Sequence, residues 1–286
     1  MNPITIQRWR RPGHRRQLGG VDSALLLPSF SINPDPPSSA VALCSRLVDE
    51  LEQALRLNLE GPSAHRPLGL ATGRTMEPLY ATLVERLQGW PPGDLAALRR
   101  SWFSFNLDEY LGLPAGDPRS YRSFMNAQLG RPLSLPEGAL QLPDGQAADA
   151  DAAALAFQAA LNELGGIGVQ LLGLGSNGHV GFNEPPCGRE QGCRVVQLSD
   201  ATRRQNAGLF GGDPEAVPVR AITLGLKEIL AAEQIHLVVT GREKAPILGL
   251  LLAMDQPDPA LPASWLLEHP RVTLWADSEA LSHSPS

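Results

Sequence analysis

The chain of 286 residues has few cysteines, no long apolar run and no excess of positive charge. Its 3 cysteines, Cys44, Cys187 and Cys193, are scattered and form no C-x-x-C or histidine-rich pattern, which argues against a disulfide framework and against zinc. No segment approaches the ~20 apolar residues that a membrane helix requires. A net charge of -6 argues against nucleic acid or an anionic membrane as the main partner. We therefore expect a protein of a reducing cytoplasm that uses no metal.

The N-terminal region differs in composition from the rest of the chain. Basic residues cluster within positions 8–16, and the apolar run from Ala24 to Leu27 ends at Pro28, too short for the core of a signal peptide. We predict a divergent or flexible arm over residues 1–28 and a single α/β domain over residues 29–286.

Apolar runs alternate with helical periodicities along the domain, which is typical of a parallel sheet covered by helices. The patterns predict helices over 39–58, 75–87 and 149–164, and strands over 67–71, 102–107, 167–172, 195–198, 221–224, 235–239 and 272–275. Pro-Pro-Gly at 91–93 is expected to end a helical unit, and residues 131–148 to form a surface loop. The predicted fold is a single-domain, doubly wound, mostly parallel sheet of Rossmann-like type with helices on both faces.

A glycine-rich turn carrying a histidine follows the predicted strand 167–172. Asn177 lies two positions before His179, and Glu184 lies five positions after it. His179 can exchange protons near neutral pH, Glu184 can orient it and stabilise its charged form, and Asn177 can only orient it. A single histidine in such a loop is more often a satisfied polar residue, so the other strand ends must supply the context.

The loop after the predicted strand 67–71 has the character of an anion site. Backbone N–H groups at a helix N-terminus, together with the hydroxyls of Thr72 and Thr75, suit a phosphate group. The alternative is that Gly73 forms an ordinary tight turn and Thr75 an ordinary helix cap.

Adjacent acids, Asp108 and Glu109, follow the apolar run of the predicted strand 102–107. Partial burial at the mouth of a sheet raises the pKa of one of them, which suits a base that abstracts a proton. The competing interpretation is a solvated loop.

Basic side chains follow two further predicted strands. Lys244 lies about one turn into a helix after strand 235–239, where it can reach phosphate as a point charge. Arg203 and Arg204 follow the cap-like pair Ser199-Asp200. Most such side chains simply face solvent, which stays the alternative for all three. Because ligands in open α/β sheets lie outside the carboxyl ends of the strands, we expect these strand ends to converge on one crevice.

Six stretches carry a resemblance to a known family: Leu68–Tyr80, Phe105–Pro114, Ser120–Met125, Gly173–Pro185, Ala221–Gly225 and Thr240–Ala245. In this order they resemble the glucosamine-6-phosphate deaminase (isomerase) family, within a superfamily that includes 6-phosphogluconolactonases. The most specific segments are Asp-Glu-Tyr at 108–110 and Asn-Gly-His-x-x-Phe-Asn-Glu-Pro at 177–185. Lactonase relatives typically follow the Gly-His turn with a Ser-Leu-Phe-Pro type of ending, so Glu184 is the discriminating residue.

The resemblance implies a metal-free and cofactor-free aldose–ketose isomerisation with loss of ammonia, which converts glucosamine 6-phosphate to fructose 6-phosphate. Asp108 would take the C2 proton and return it at C1. His179, oriented by Glu184 and Asn177, would relay the proton that opens the pyranose ring. By the same resemblance the substrate phosphate contacts Thr72, Gly73, Thr75 and Lys244.

The sequence departs from the family pattern at two points. Some relatives have Asp where this chain has Asn177, which leaves Glu184 as the one negative partner of a protonated His179. The family pattern also places an Arg for phosphate at or near Gly208. Arg74, Arg203 and Arg204 are the additional candidates to replace it.

Two other functions compete with the deaminase interpretation. A 6-phosphogluconolactonase-like hydrolase would need no enolisation base, and a non-catalytic sugar-phosphate sensor would bind without turnover. No helix-turn-helix segment links the chain to DNA. The sequence leaves open the sugar configuration, allosteric activation and the choice between a monomer and a homo-oligomer.

Overall fold

The computed structural model describes residues 31–32, 39–60, 66–114 and 116–282. The predicted N-terminal arm, residues 1–28, lies outside these residues. No described helix is both long enough and apolar enough to cross a membrane.

Strands and helices alternate along most of the described chain. The strands are β1 Ser31–Ile32, β2 Leu68–Leu70, β3 Ser104–Asn106, β4 Asp108–Tyr110, β5 Leu140–Gln141, β6 Val169–Gly173, β7 Arg194–Gln197, β8 Arg220–Thr223, β9 Gln234–Val239 and β10 Val272–Ala276. The α-helices are α1 Ala40–Glu60, α2 Glu77–Gln88, α3 Pro92–Ser101, α4 Tyr121–Met125, α5 Arg131–Leu133, α6 Ala150–Glu163, α7 Asp200–Asn206, α8 Leu226–Leu230 and α9 Ala245–Ala253. Shorter 3-10 turns include Ala207–Phe210, Pro214–Ala216, Arg242–Lys244 and Pro262–Glu268.

The larger sheet is wholly parallel and has a switch point at its centre. Its seven strands have the order β1-β10-β9-β6-β2-β3-β5. Apart from the short β1, the chain moves outward from β2 to β5 and then restarts at β6 on the other side, which is the 3-2-1-4-5-6 order of doubly wound folds. The predicted fold class is confirmed, and the position between β2 and β6 is where such folds bind ligands.

A second, antiparallel sheet of the order β4-β8-β7 branches from the first. The predicted strands 195–198 and 221–224 therefore exist but do not join the parallel sheet. Leu107 connects the two sheets, because its N–H donates to Leu70 O (3.0 Å) and its carbonyl accepts from Leu224 N (2.7 Å). This connection fixes the start of β4, and hence Asp108, against both sheets.

Amphipathic helices surround the parallel sheet. On α1 the residues Leu43, Leu47, Leu51 and Leu55 recur every four positions and are buried, as the helical period requires. Helix α6 begins after Asp149, whose carboxylate accepts the N–H of Ala152 as an N-cap, and its buried face packs Phe157 on Phe105 of β3 with ring centroids 5.1 Å apart.

Three local expectations were wrong. Pro-Pro-Gly at 91–93 begins a helix, since proline fits the first turn, where its missing N–H is not needed. The expected loop 131–148 contains α5 and the edge strand β5, which pairs with β3. Helix α2 begins at Glu77 after the cap residue Met76, so Thr75 is not the ordinary N-cap.

Candidate active site

Four adjacent parallel strands bring the predicted residues to one edge of the sheet. In the order β9, β6, β2, β3, their carboxyl ends lead to Lys244, His179, Thr72 and Asp108. The separate loops also meet there, because a Cβ at Gly181 would lie 3.4 Å from Asp108 Oδ2. The expected convergence of the histidine loop and the acidic strand end is thus present.

The His179 ring is held in one orientation and one tautomer. It lies so close to Gly175 that a Cβ there would be 2.3 Å from its Nδ1, which requires glycine. Asn177 Oδ1 accepts the backbone N–H of His179 (3.2 Å) and lies 2.6 Å from the ring Nδ1. A backbone N–H can only donate, so the facing Asn177 atom is the oxygen and Nδ1 carries the ring proton. Nε2 therefore has a free lone pair with which to accept a proton.

Burial keeps this imidazole neutral. Desolvation lowers the pKa of His179 to about 4, the Glu184 charge opposes this change, and Lys244 adds to it. In the protein without a ligand, the neutral ring can therefore accept a proton at neutral pH.

Glu184 acts on the histidine through its charge rather than through a direct contact. Its Oε1 accepts the backbone N–H of Ser199, the cap residue of α7, at 3.1 Å. Within the described residues no ion pair joins Glu184 to His179, and Asn177 is the side chain that orients the ring. Glu184 also lines an open hollow of about 550 Å³ together with residues of the 194–200 segment.

The two adjacent acids, Asp108 and Glu109, have different environments. Asp108 is buried, its carboxylate has no recorded hydrogen-bond donor among the described residues, and burial followed by repulsion from Glu109 raises its pKa well above the ordinary value. Glu109 accepts the N–H groups of Tyr110 (2.8 Å), Tyr121 (2.9 Å) and Arg122 (2.8 Å), so it caps α4. Burial raises the pKa of Glu109 too, but these three donors oppose the shift.

Tyrosine and phenylalanine rings, which sequence reasoning missed, pack around the acidic strand end. Tyr110 lies 4.7 Å from Tyr121 and 5.5 Å from Phe182 between ring centroids, and the Tyr121 hydroxyl donates to that of Tyr110 at 3.2 Å. The sequence did carry a signal for Tyr110: side chains alternate along a strand, so residues 108 and 110 of β4 point to the same side.

The loop after β2 has the open geometry of an anion site. Gly73 has φ +107°, a conformation that favours glycine, and a Cβ there would meet nothing within 4 Å. A side chain of α2 holds the start of this loop in place, since the buried Tyr80 hydroxyl donates to Ala71 O at 2.5 Å. Thr72 and Thr75 are partly exposed on either side of this glycine.

Two cations lie at this loop. Burial lowers the pKa of Lys244, Glu243 opposes the change, and the positive charge of nearby Arg74 lowers it further. Within the described chain neither Arg74 nor Lys244 forms an ion pair with a carboxylate. Two like charges held near each other favour binding of an anion between them.

The other candidate cations are placed differently. Arg203 is buried and donates to Val217 O (3.4 Å) and Glu215 Oε2 (3.2 Å), so its guanidinium joins α7 to the turn Pro214–Ala216. Arg204 is exposed on α7, and Gly208 is exposed in the following 3-10 turn. Of the three additional candidates, Arg74 is the one that the structure brings to Lys244.

A parallel sheet of this order defines a doubly wound α/β protein, and its switch point gathers a buried imidazole, a buried carboxylate and two cations. Residues 34–275 match the family described as glucosamine-6-phosphate isomerases/6-phosphogluconolactonase. The chain belongs to this family.

Curated relatives and solved structures agree with this assignment. A glucosamine-6-phosphate deaminase of Shouchella clausii is 41% identical over 219 residues, 75% of this chain and 84% of that protein. One of Rhodopirellula baltica is 36% identical over 93% of this chain and 98% of that protein. The structure of a monomeric glucosamine-6-phosphate deaminase has a TM-score of 0.74 and 32% identity, covering 86% of this chain and 97% of the other. A 6-phosphogluconolactonase from Trypanosoma cruzi, at 21% identity and a TM-score of 0.68 over 89% and 96% of the two chains, shares the fold.

Proposed function

We propose that the protein converts glucosamine 6-phosphate to fructose 6-phosphate and ammonia, as an isomerase and deaminase. The observation that carries the proposal is the meeting of the Asp108 carboxylate with the loop that holds His179 in a single tautomer. Relatives named as deaminases at about 40% identity support it. The enzyme would be cytoplasmic and would act on a small phosphorylated amino sugar.

The first chemical step is opening of the pyranose ring. His179 Nε2, which has a free lone pair, accepts the proton of the anomeric hydroxyl and gives a proton to the ring oxygen. The imidazole is charged between these two transfers, and the nearby Glu184 carboxylate stabilises that charge. Asn177 holds the ring in place throughout.

The second step moves a proton between two carbons. Asp108 removes the C2 proton of the open-chain amino aldose while the C1 carbonyl oxygen takes up a proton from water, which gives an enolamine. Asp108 then returns its proton at C1, and loss of a proton from nitrogen to water leaves an imine at C2. Water hydrolyses this imine to the ketone and ammonia. Burial raises the pKa of Asp108 and so makes it a stronger base once ionised. Neither step requires a metal ion or a redox cofactor.

The substrate phosphate is the anchor that holds the reacting carbons in place. Thr72 and Thr75 supply hydroxyl donors, the Gly73 turn lets backbone approach closely, and Lys244 and Arg74 supply charge. In this proposal Arg74 replaces the family Arg expected near Gly208. Positioning through a remote group lowers the barrier without chemistry of its own.

The test is incubation of the purified chain with a panel of hexosamine 6-phosphates and with 6-phosphogluconolactone, with free ammonia and free acid as readouts. We expect ammonia from an amino sugar phosphate without added metal or nucleotide, and a loss of about 10²-fold in kcat in His179→Gln. Lactone hydrolysis without ammonia would support the hydrolase, and binding without turnover would support a sensor. Either result overturns the proposal.

A further inference from the structure

Three polar side chains form a row across the small antiparallel sheet. Thr223 of β8 pairs with Asp108 of β4 on one side and with Arg194 of β7 on the other. Directly opposed residues of an antiparallel pair point to the same face of the sheet, with Cβ atoms about 4.5–5.5 Å apart. The buried Thr223 hydroxyl therefore lies between the carboxylate of Asp108 and the guanidinium of Arg194.

The loop that carries His179 crosses this row at Gly181. A Cβ at Gly181 would lie 3.2 Å from Thr223 Oγ1 and 3.4 Å from Asp108 Oδ2, and the residue has φ +58°. Both the close approach and the positive φ favour glycine. The backbone of the loop thus lies directly against the Thr223 hydroxyl and the Asp108 carboxylate.

The Thr223 hydroxyl attaches the loop to the sheet beside Asp108. Its Oγ1 accepts the backbone N–H of Phe182 at 3.2 Å and donates to Leu224 O at 3.1 Å. A hydroxyl has one proton, and Leu224 O receives it, so the contact with Phe182 depends on the lone pairs of Oγ1. Removal of this oxygen leaves the Phe182 N–H without its partner next to Asp108.

Asn183 makes a second attachment of the same loop. Its buried Nδ2 donates to Leu224 O (2.9 Å) and to Val180 O (3.0 Å), and its Oδ1 accepts from Arg194 at 2.9 Å. The side chain thereby ties the turn that follows His179 to both β7 and β8. Thr223 and Arg194, the two neighbours in the row, each hold one residue of the loop.

We propose that Thr223 is a positioning residue, which together with Arg194 seats the loop of His179 against Asp108. The inference rests on the proposed function, in which these two groups act on adjacent carbons of one sugar. His179 comes from the loop after β6 and Asp108 from the chain after β3, so their separation depends on how the loop is attached to the small sheet. A misplacement of about 1 Å can lower a rate by about 10²-fold.

The test is Thr223→Val, which keeps the branched shape and removes the oxygen. We expect kcat to fall about tenfold while KM changes by less than about threefold, because the anchoring groups lie on other strands. Thr223→Ser keeps the oxygen and should restore kcat to within about threefold of the wild-type value. With substrate deuterated at C2, the isotope effect on kcat in Thr223→Val should be at least as large as in the wild type, since proton removal is the slowed step.

Thr202→Val is the matched control. It also removes a buried threonine hydroxyl, but that hydroxyl has no hydrogen-bond partner among the residues that the structure describes and lies on α7. Its kcat and KM should keep the wild-type values. A purely structural role of Thr223 would lower the melting temperature of Thr223→Val and leave kcat per folded molecule unchanged.

Four results overturn the inference. They are wild-type kcat in folded Thr223→Val, a loss that Thr223→Ser does not restore, a rise in KM as large as the fall in kcat, and a smaller isotope effect than in the wild type. If Thr223→Val does not fold, Arg194→Met loosens the same loop through Asn183 and should lower kcat in the same way, and wild-type kcat there overturns the inference. Absence of ammonia release by the wild-type protein overturns the proposed function instead.

Discussion

The reacting half of the site and its anchoring half are built in opposite ways. Around His179 the polar contacts are already made, with Asn177 fixing the ring and Gly175 packed against it. Around Gly73 the space is open, and the charges of Arg74 and Lys244 have no recorded ion pairs in the described chain. The proposed proton-transfer groups are therefore preorganised, whereas the proposed anchor would be completed by a bound anion.

The largest effect is expected at the base. Asp108→Asn should lower kcat by about 10³-fold with little change in KM, since it removes a group that acts on the reacting carbon. It should also raise stability at neutral pH. The folded-state pKa of Asp108 is raised, so its ionisation destabilises the fold as pH rises, and asparagine has no such charge. Steady-state kinetics and thermal melts across pH measure both changes.

Glu109→Gln is the matched control for that variant. It should cost about 1–3 kcal/mol of unfolding free energy, because the cap of three N–H groups is weakened. A kcat loss in Glu109→Gln equal to that of Asp108→Asn would show that the two acids are not divided between chemistry and structure as described.

Removal of charge from the anchor should act on binding. Arg74→Met and Lys244→Met should each raise KM by about 10- to 100-fold and leave kcat within about threefold, since charge-assisted hydrogen bonds contribute about 1.5–3 kcal/mol. Arg204→Met, an exposed cation on α7, is the control and should keep the wild-type KM. An unchanged KM in Arg74→Met would mean that another cation replaces the family arginine.

The smallest effect is expected from Asn177→Asp, which places a carboxylate 2.6 Å from Nδ1 of His179. The pKa of His179 should rise from about 4, as followed by NMR titration of the ring protons. The low folded-state value means that the unfolded chain binds a proton between about pH 6.5 and 4 that the folded chain does not, so stability falls on acidification. This loss should be smaller in the aspartate variant, and an unmoved pKa would contradict the assigned ring orientation.

The sequence predicted the parallel sheet and the strand ends well because both depend on local patterns. Apolar residues in short runs or in alternation predict β2, β3 and β6, and the glycines around His179 mark the sharp exit from β6. The division between Asp108 and Glu109 could not be predicted, since it depends on the N–H groups of Tyr121 and Arg122, 12 and 13 positions further along the chain from Glu109. The structural role of Arg203 could not be predicted either, because it depends on a hydrogen bond to Glu215, 12 positions further along the chain.

The two backbone hydrogen bonds of Leu107 link the proposed base to a part of the fold that lies outside the parallel sheet. The residue before the proposed base is hydrogen-bonded to both sheets, so the antiparallel sheet of β4, β8 and β7 carries part of the alignment of Asp108 although it holds none of the anchoring groups. We therefore expect substitutions inside that small sheet that disturb Leu107 to change the rate of turnover more than the affinity for substrate.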